Sequence, residues 1–128
     1  MHGPASFDYA LLRVVPRVER QEFINAGVVV YCPEKRYLAA RVRFDAARLK
    51  ALWPEADAAL VEKHLEAVER ICAGDAAAGP IAKLSQRERF HWLTSPRSTI
   101  IQPSPVHTGV CDETGGLLDR LEKQFLIA

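Results

Sequence analysis

The chain has 128 residues, enough for one domain with a buried core, and its composition (48% hydrophobic, 26% charged) is that of a globular protein rather than a disordered one. With 17 basic residues against 16 acidic ones the net charge is +1, so no overall field attracts the chain to nucleic acid or to an anionic membrane. Cys32, Cys72 and Cys111 are odd in number and widely spaced, which argues against a disulfide framework and a zinc ribbon.

Three closely spaced apolar runs open the chain and predict an antiparallel three-strand meander. Phe7–Val15 and Phe23–Cys32 are rich in branched and aromatic residues, and Tyr37–Phe44 alternates between apolar and polar positions. The even-numbered residues of the second run are expected on one face. Gly27, in its middle, predicts a bulge or a close approach of another group to the backbone.

Four helices are predicted after the meander. Asp45 caps a short one, and Asp57–Ala73 has the clearest three- and four-residue apolar spacing. The sequence Ser85–Glu88 matches a capping box that opens a helix ending near Leu93. The last helix, Gly115–Leu126, is amphipathic.

The polar run Ser95–Gly109 lies between the last two helices. It mixes strand formers with Pro103 and Pro105, which cannot donate ladder hydrogen bonds, and therefore predicts an edge strand broken by a proline bulge. The resulting order is β-β-β-α-α-α-β-α. We expect one α+β domain over residues 1–128, with its core at about 7–126 and an antiparallel sheet of about four strands.

The same run supplies candidate ligand-binding residues. A guanidinium, hydroxyls and an imidazole together suit a phosphate or a carboxylate. The alternative is a rigid loop whose hydroxyls bond to its own backbone. The residues in question are Arg97, Ser98, Thr99, His107 and Thr108.

A basic sheet face is a second possibility. Arg41 and Arg43 share one face of the third strand, and with Arg13 they would suit single-stranded nucleic acid. The commoner arrangement pairs such arginines with carboxylates, here Glu19, Glu22 or those of a helix, so nucleic acid is disfavoured as a partner.

Catalytic and metal-binding patterns are sparse. His107 and Cys111 stand four residues apart beside Asp112, but a buried structural thiol is the commoner explanation. Glu88 and His91 form a single pair of metal-ligand type, and Glu88 already has a capping role. No nucleotide-binding glycine loop or serine-hydrolase elbow occurs. We therefore expect no catalytic residue, metal or cofactor.

The N-terminal sequence lacks the basic and apolar regions of a signal peptide, and the apolar runs are too short to span a bilayer. We expect a cytoplasmic protein without a membrane partner.

Four stretches taken together resemble a known family: Tyr9–Val28, Arg89–Leu93, Pro96–Thr99 and Gln102–Gly109. They are similar to the bacterial family Domain of Unknown Function 3037, over nearly the whole chain. Gln21 stands where a smaller residue such as glycine is expected. The polar and glycine positions that match the motifs are Glu19, Glu22, Asn25, Gly27, Arg89, Trp92, Arg97, Ser98, Thr99, Gln102, His107 and Gly109.

The resemblance implies no established activity, cofactor or catalytic residue. It adds Arg89, Gln102 and Asn25 to the candidate ligand-binding residues, and Asn25 with Gly27 would close a polar pocket if the late strand pairs with the meander. It also implies a partner, because genes of this family often lie beside one for a HipA-like kinase. Two functions follow as expectations: a non-catalytic interaction or regulatory module partnering such a kinase, or a small enzyme or sensor that binds a phosphate-bearing ligand.

Overall fold

The computed structural model of the protein describes residues 3–97 and 99–127. The strands are β1 (Ala5–Val14), β2 (Ile24–Cys32), β3 (Tyr37–Val42), β4 (Ile101–Pro103) and β5 (His107–Cys111). The α-helices are α1 (Ala46–Leu52), α2 (Ala58–Ala73), α3 (Gln86–Leu93) and α4 (Leu117–Phe125). The α+β class and the element order agree with the sequence prediction, except that the single late strand is two short ones.

All five strands form one antiparallel sheet with β1 in its interior. On one side β1 pairs with β2, which pairs with β3, so the predicted meander is confirmed. On its other side β1 pairs with β4 over Leu12–Val14 and with β5 over Ala5–Tyr9. The late segment is therefore a broken edge, and its two halves lie against different ends of the same strand.

Ser104 fills the gap between β4 and β5. It lies between two prolines that have no backbone N–H, and its own backbone N–H donates to the Leu11 carbonyl at 2.8 Å. The Leu11 N–H in turn donates to the Ser104 hydroxyl oxygen at 2.8 Å. The side chain thus replaces a missing ladder partner, which explains why this polar residue is buried.

The predicted irregularity at Gly27 is a β-bulge. Leu12 lies opposite Gly27 while Arg13 lies opposite Asn25, so Ala26 has no partner on β1. A Cβ atom on Gly27 would lie 3.1 Å from Leu12 Cδ1 and 3.2 Å from the Arg41 carbonyl oxygen, which is why glycine is suited to this position.

The bulge also corrects the expected side-chain alternation of β2. Ile24 and Ala26 pack on one face of the sheet, whereas Val28, Val30 and Cys32 pack on the other. The extra residue shifts the period of two by one position, so the even-numbered residues do not share a face.

Each face of the sheet has its own hydrophobic cluster. On the first face, α1, α2 and α3 contribute Leu49, Leu65 and Phe90 to a core with Leu12. On the second face, α4 covers the side chains of the odd-numbered β1 residues, including Phe7. In the part of the chain that the structure describes, no helix is both long and apolar enough to cross a membrane.

Local side-chain hydrogen bonds cap the N-termini of the first three α-helices. The carboxylate of Asp45 caps α1 and that of Asp57 caps α2, by accepting from backbone N–H groups of the first turn. Ser85 and Glu88 form the predicted capping box of α3.

Gln21 has a φ of 59°, a left-handed conformation that accounts for the expectation of glycine there.

Candidate functional site

Arg97 and Thr99 line an apolar cavity on the first face of the sheet. The cavity has a volume of about 390 Å³ and is enclosed by α2, α3 and the segment that leads into β4. The Arg97 guanidinium lies 4.7 Å from the centre of the Trp92 ring. Its Nε donates to the Ser95 carbonyl at 3.2 Å and its Nη2 to the Trp92 carbonyl, so its own loop holds it in place.

His107 lies on the opposite face of the sheet from Arg97. It pairs with Tyr9, and the two ring centres are 5.5 Å apart. Tyr9 belongs to the α4 side of the molecule, where its ring also contacts Phe125. The structure therefore does not bring Arg97 and His107 together. The two side chains, which were expected to bind one anion, are separated by the sheet.

The hydroxyl groups of Thr108 and Thr99 both donate hydrogen bonds within the protein. Thr108 donates to the Asp8 carboxylate at 2.9 Å across the β1–β5 pair. Thr99 donates to the Ile101 carbonyl at 2.8 Å. Ser98, the remaining hydroxyl of the candidate set, lies outside the described residues.

Arg89 stabilises the end of α2 and does not line the cavity. Its Nη1 donates to the Ile71 and Cys72 carbonyls at 2.9 and 2.8 Å, and its Nε donates to the Leu84 carbonyl at 3.0 Å. The side chain is only 9% exposed. The guanidinium is thus committed to carbonyl groups that would otherwise be unsatisfied at a helix C-terminus.

Asn25 and Gln102 flank Arg13, which lies opposite both of them in the sheet. Arg13 places its guanidinium carbon 4.3 Å from the centre of the Phe23 ring. Within residues 3–97 and 99–127, neither Arg13 Nε nor Asn25 Oδ1 has a hydrogen-bond partner, although both atoms are buried. Gln102 donates to the Thr99 carbonyl at 2.9 Å. Arg13 therefore lies between Asn25 and the late strand, so Asn25 is not adjacent to that strand in the sheet.

Arg41 on β3 and Arg43, just after this strand, form ion pairs with α4. Glu122 accepts from Arg41 at 2.6 Å and from Arg43 at 3.2 Å, and Asp119 accepts from Arg41 at 2.9 Å. The hydrogen bonds to Asp119 and Glu122 raise the pKa of Arg41. The sequence offered Glu19, Glu22 or helical carboxylates as partners for these arginines, and the partners are the carboxylates of α4.

Glu19 and Glu22 are the partners of other arginines. They bind Arg17 and Arg20, their neighbours in the link between β1 and β2. Backbone and side-chain hydrogen bonds, the latter from Arg17, lower the pKa of Glu19.

All three cysteines are free thiols and are buried. Burial raises the pKa of Cys72 to about 12. Burial, and then the neighbouring Cys32, raises the pKa of Cys111. A raised pKa lowers the fraction of thiolate, which is the form that a nucleophilic cysteine requires.

Gly109 separates Cys111 from His107 on β5. The Phe7 ring lies over this glycine, and a Cβ atom there would be 2.6 Å from Phe7 Cζ. The buried aromatic ring therefore requires glycine at this motif position.

Glu88 is occupied by its helix cap, since it accepts from the Ser85 hydroxyl at 2.8 Å. Among the residues with described positions, no group of three His, Cys, Asp or Glu side chains is placed to hold a metal ion.

Sequence reasoning did not assign His64 or Trp92 to a site, yet both line the cavity with Arg97. They come from α2 and α3, and only the packing of these helices brings them together. No local sequence signal marks such a convergence.

Comparisons with known proteins place the chain in a family. No curated protein and no solved structure matches the chain. A family model matches residues 9–126, which is nearly the whole chain. The protein therefore belongs to the family described as Protein of unknown function (DUF3037).

Proposed function

We propose that this protein is a non-catalytic interaction module that docks an extended segment of a partner protein along β5. The observation that carries the proposal is the open edge of this strand. In the described residues β5 pairs with β1 alone, and its outer side offers backbone groups for strand addition.

The side chains of the β5 region also suit a partner. Val110 is 61% exposed and Val106 is 45% exposed, so apolar surface accompanies the free backbone edge. Val106 also borders a depression of about 590 Å³ between α3 and the sheet, with Phe90 and His91 on its other side. A docked strand would place alternate side chains towards this depression.

The other edge of the sheet is less open. On β3, Leu38 is buried, and the remaining residues from Tyr37 to Val42 are half-buried between helices on both faces. Arg41 is also tied to α4 by its ion pairs. The accessible edge is therefore the one formed by β5.

The groups best suited to chemistry are already engaged in the fold, which supports a binding role over a catalytic one. Arg89 binds carbonyl groups at a helix end, the ring of His107 contacts that of Tyr9, and burial raises the pKa of Cys111. As the partner we propose a HipA-like kinase, on the basis of the gene neighbourhood implied by the family resemblance.

The test measures binding of the purified protein to a HipA-like kinase from the same genome. Val110→Lys places a charge on the edge strand and should weaken binding at least about tenfold. Val18→Lys is the matched control, because Val18 is also exposed, at 40%, but lies in the link between β1 and β2. Equal effects of the two substitutions, or the absence of a complex at micromolar concentrations, would overturn the proposal.

A second copy of the chain is the competing occupant of the edge. Light scattering of the isolated protein distinguishes the two cases, because self-pairing through β5 would produce a dimer that Val110→Lys dissociates. A monomer that binds the kinase supports the proposal, whereas such a dimer contradicts it.

A further inference from the structure

The cavity beside Arg97 has the size and lining of a small-molecule site. Its volume of about 390 Å³ falls in the range of ligand pockets, which is about 300–1,000 Å³. Leu12, Val68 and Leu93 are buried at its floor. Half-buried apolar side chains, among them Ile101, and the exposed ring of Trp92 form the walls.

The cavity has few polar groups. Of the twelve described residues that line it, only Arg97, His64 and Thr99 have charged or strongly polar side chains, and none is acidic. Within the described part of the chain Arg97 forms no ion pair, and its hydrogen bonds go to neutral carbonyl oxygens. Its positive charge is therefore left uncompensated beside an apolar surface.

The Arg97 guanidinium is also preorganised. Its stacking on Trp92 and its two carbonyl hydrogen bonds fix the orientation of the planar group before any ligand arrives. A fixed guanidinium loses little conformational entropy when it binds a carboxylate, and such charge-assisted bonds are stronger than neutral ones.

We infer that this cavity binds a small apolar monocarboxylic acid, with its carboxylate on Arg97 and its hydrocarbon body over Leu12, Val68 and Trp92. The apolar lining selects the body and the single arginine selects a single negative charge. A phosphate dianion fits less well, because one guanidinium would face two charges beside a wall that cannot solvate them. This site lies on the face that α1, α2 and α3 cover, and no residue of β5 lines it.

The test compares octanoate with octanol, which share a hydrocarbon chain and differ in charge. Titration calorimetry on the wild-type protein should show octanoate binding about tenfold or more tightly than octanol. In Arg97→Gln this preference should disappear while octanol binding stays the same. Arg87→Gln is the matched control, since Arg87 is exposed on α3 and does not line the cavity, and it should retain the preference.

A second pair of variants tests the location of the site. Ala67→Phe adds a ring at the α2 wall and should abolish binding of both compounds. Thr99→Trp fills the cavity from an exposed position and serves the same purpose if Ala67→Phe does not fold. Three results would overturn the inference: equal binding of the two compounds to the wild type, no binding of octanoate, or unchanged binding when the cavity is filled.

Discussion

Arg89 lies on α3, and its guanidinium caps the C-terminus of α2. It donates to two consecutive carbonyl groups, those of Ile71 and Cys72, in the last turn of α2. The same side chain bonds to Leu84, just before the cap of α3. One buried residue thus joins two helices and the loop between them, which gives this family-motif position a structural explanation.

Replacing Arg89 by methionine should therefore destabilise the fold. The thioether keeps an apolar stem of similar length but leaves the buried carbonyl groups without donors, and we expect the free energy of unfolding to fall by about 3 kcal/mol. Urea unfolding measures the change. Arg87→Met, at an exposed position of the same helix, should alter stability by less than about 0.5 kcal/mol. A loss no larger than that of the control would disprove this role for Arg89.

At the residue scale, the sequence shows which side chains are polar or charged, but only the structure shows which residues lie next to them. Asn25, Gln102 and Arg13 are polar residues in the motifs or beside them, but their order across the sheet depends on strand register. A bulge of one residue in β2 decides that Asn25 lies opposite Arg13. Arg97 and His107 are close in sequence, yet they lie on opposite faces. Arg97 is in the loop that follows α3 on the first face, whereas His107 lies opposite Tyr9, whose side chain packs on the second face.

Helix α4 is attached to the sheet by a cluster of ion pairs as well as by its apolar stripe. The carboxylate of Glu122 accepts hydrogen bonds from Arg41 on β3 and from Arg43 just after it, and its side chain is only 15% exposed. Asp119 binds Arg41 one turn earlier but is 67% exposed. The two acidic residues differ in burial while sharing a helix face and a partner.

Glu122→Gln should destabilise the protein by about 1 kcal/mol, because it removes the charge that two partly exposed arginines share. Asp119→Asn should change the free energy of unfolding by less than about 0.5 kcal/mol, since an exposed ion pair contributes little. Urea unfolding at low and high salt measures both effects, and salt should reduce the difference between wild type and Glu122→Gln. Equal losses in the two variants would show that burial does not distinguish them.

At the element scale, the reliable sequence signals were periodicity and caps. The apolar spacing of α2 and the capping box of α3 predicted their positions to within a residue. The late segment was harder, because its prolines indicate an interrupted edge without showing which strand it pairs with. Ser104 makes β4 and β5 successive partners of β1 by a side-chain hydrogen bond that strand propensity does not encode.

The whole molecule consists of one sheet with a hydrophobic core on each face, and the cysteines are distributed between the two cores. Cys72 belongs to the core under α1, α2 and α3, whereas Cys32 and Cys111 belong to the core under α4. The sequence predicted the helices and their stripes, but not which face of the sheet each helix covers. That assignment arises from packing and determines how the fold responds to pH.

The raised pKa of Cys72 makes the stability of the whole fold depend on alkaline pH. Below about pH 9 the thiol is protonated in both the folded and unfolded states, so its ionisation contributes nothing. Between its ordinary value of 9.0 and the folded value of about 12, the unfolded chain loses the proton and the folded protein keeps it. The unfolded state then binds fewer protons, and the free energy of unfolding falls by up to about 1.4 kcal/mol per pH unit from this group.

Cys72→Ala isolates that contribution from the other groups that titrate in the same range. The stability advantage of the wild type over Cys72→Ala, measured by urea unfolding, should shrink by about 2 kcal/mol between pH 8 and pH 10.5. Val68→Ala creates a comparable gap in the same core without a titrating group, so its difference from the wild type should stay constant over this range. A constant difference for Cys72→Ala as well would mean that the thiol ionises as readily in the folded protein as in the unfolded chain.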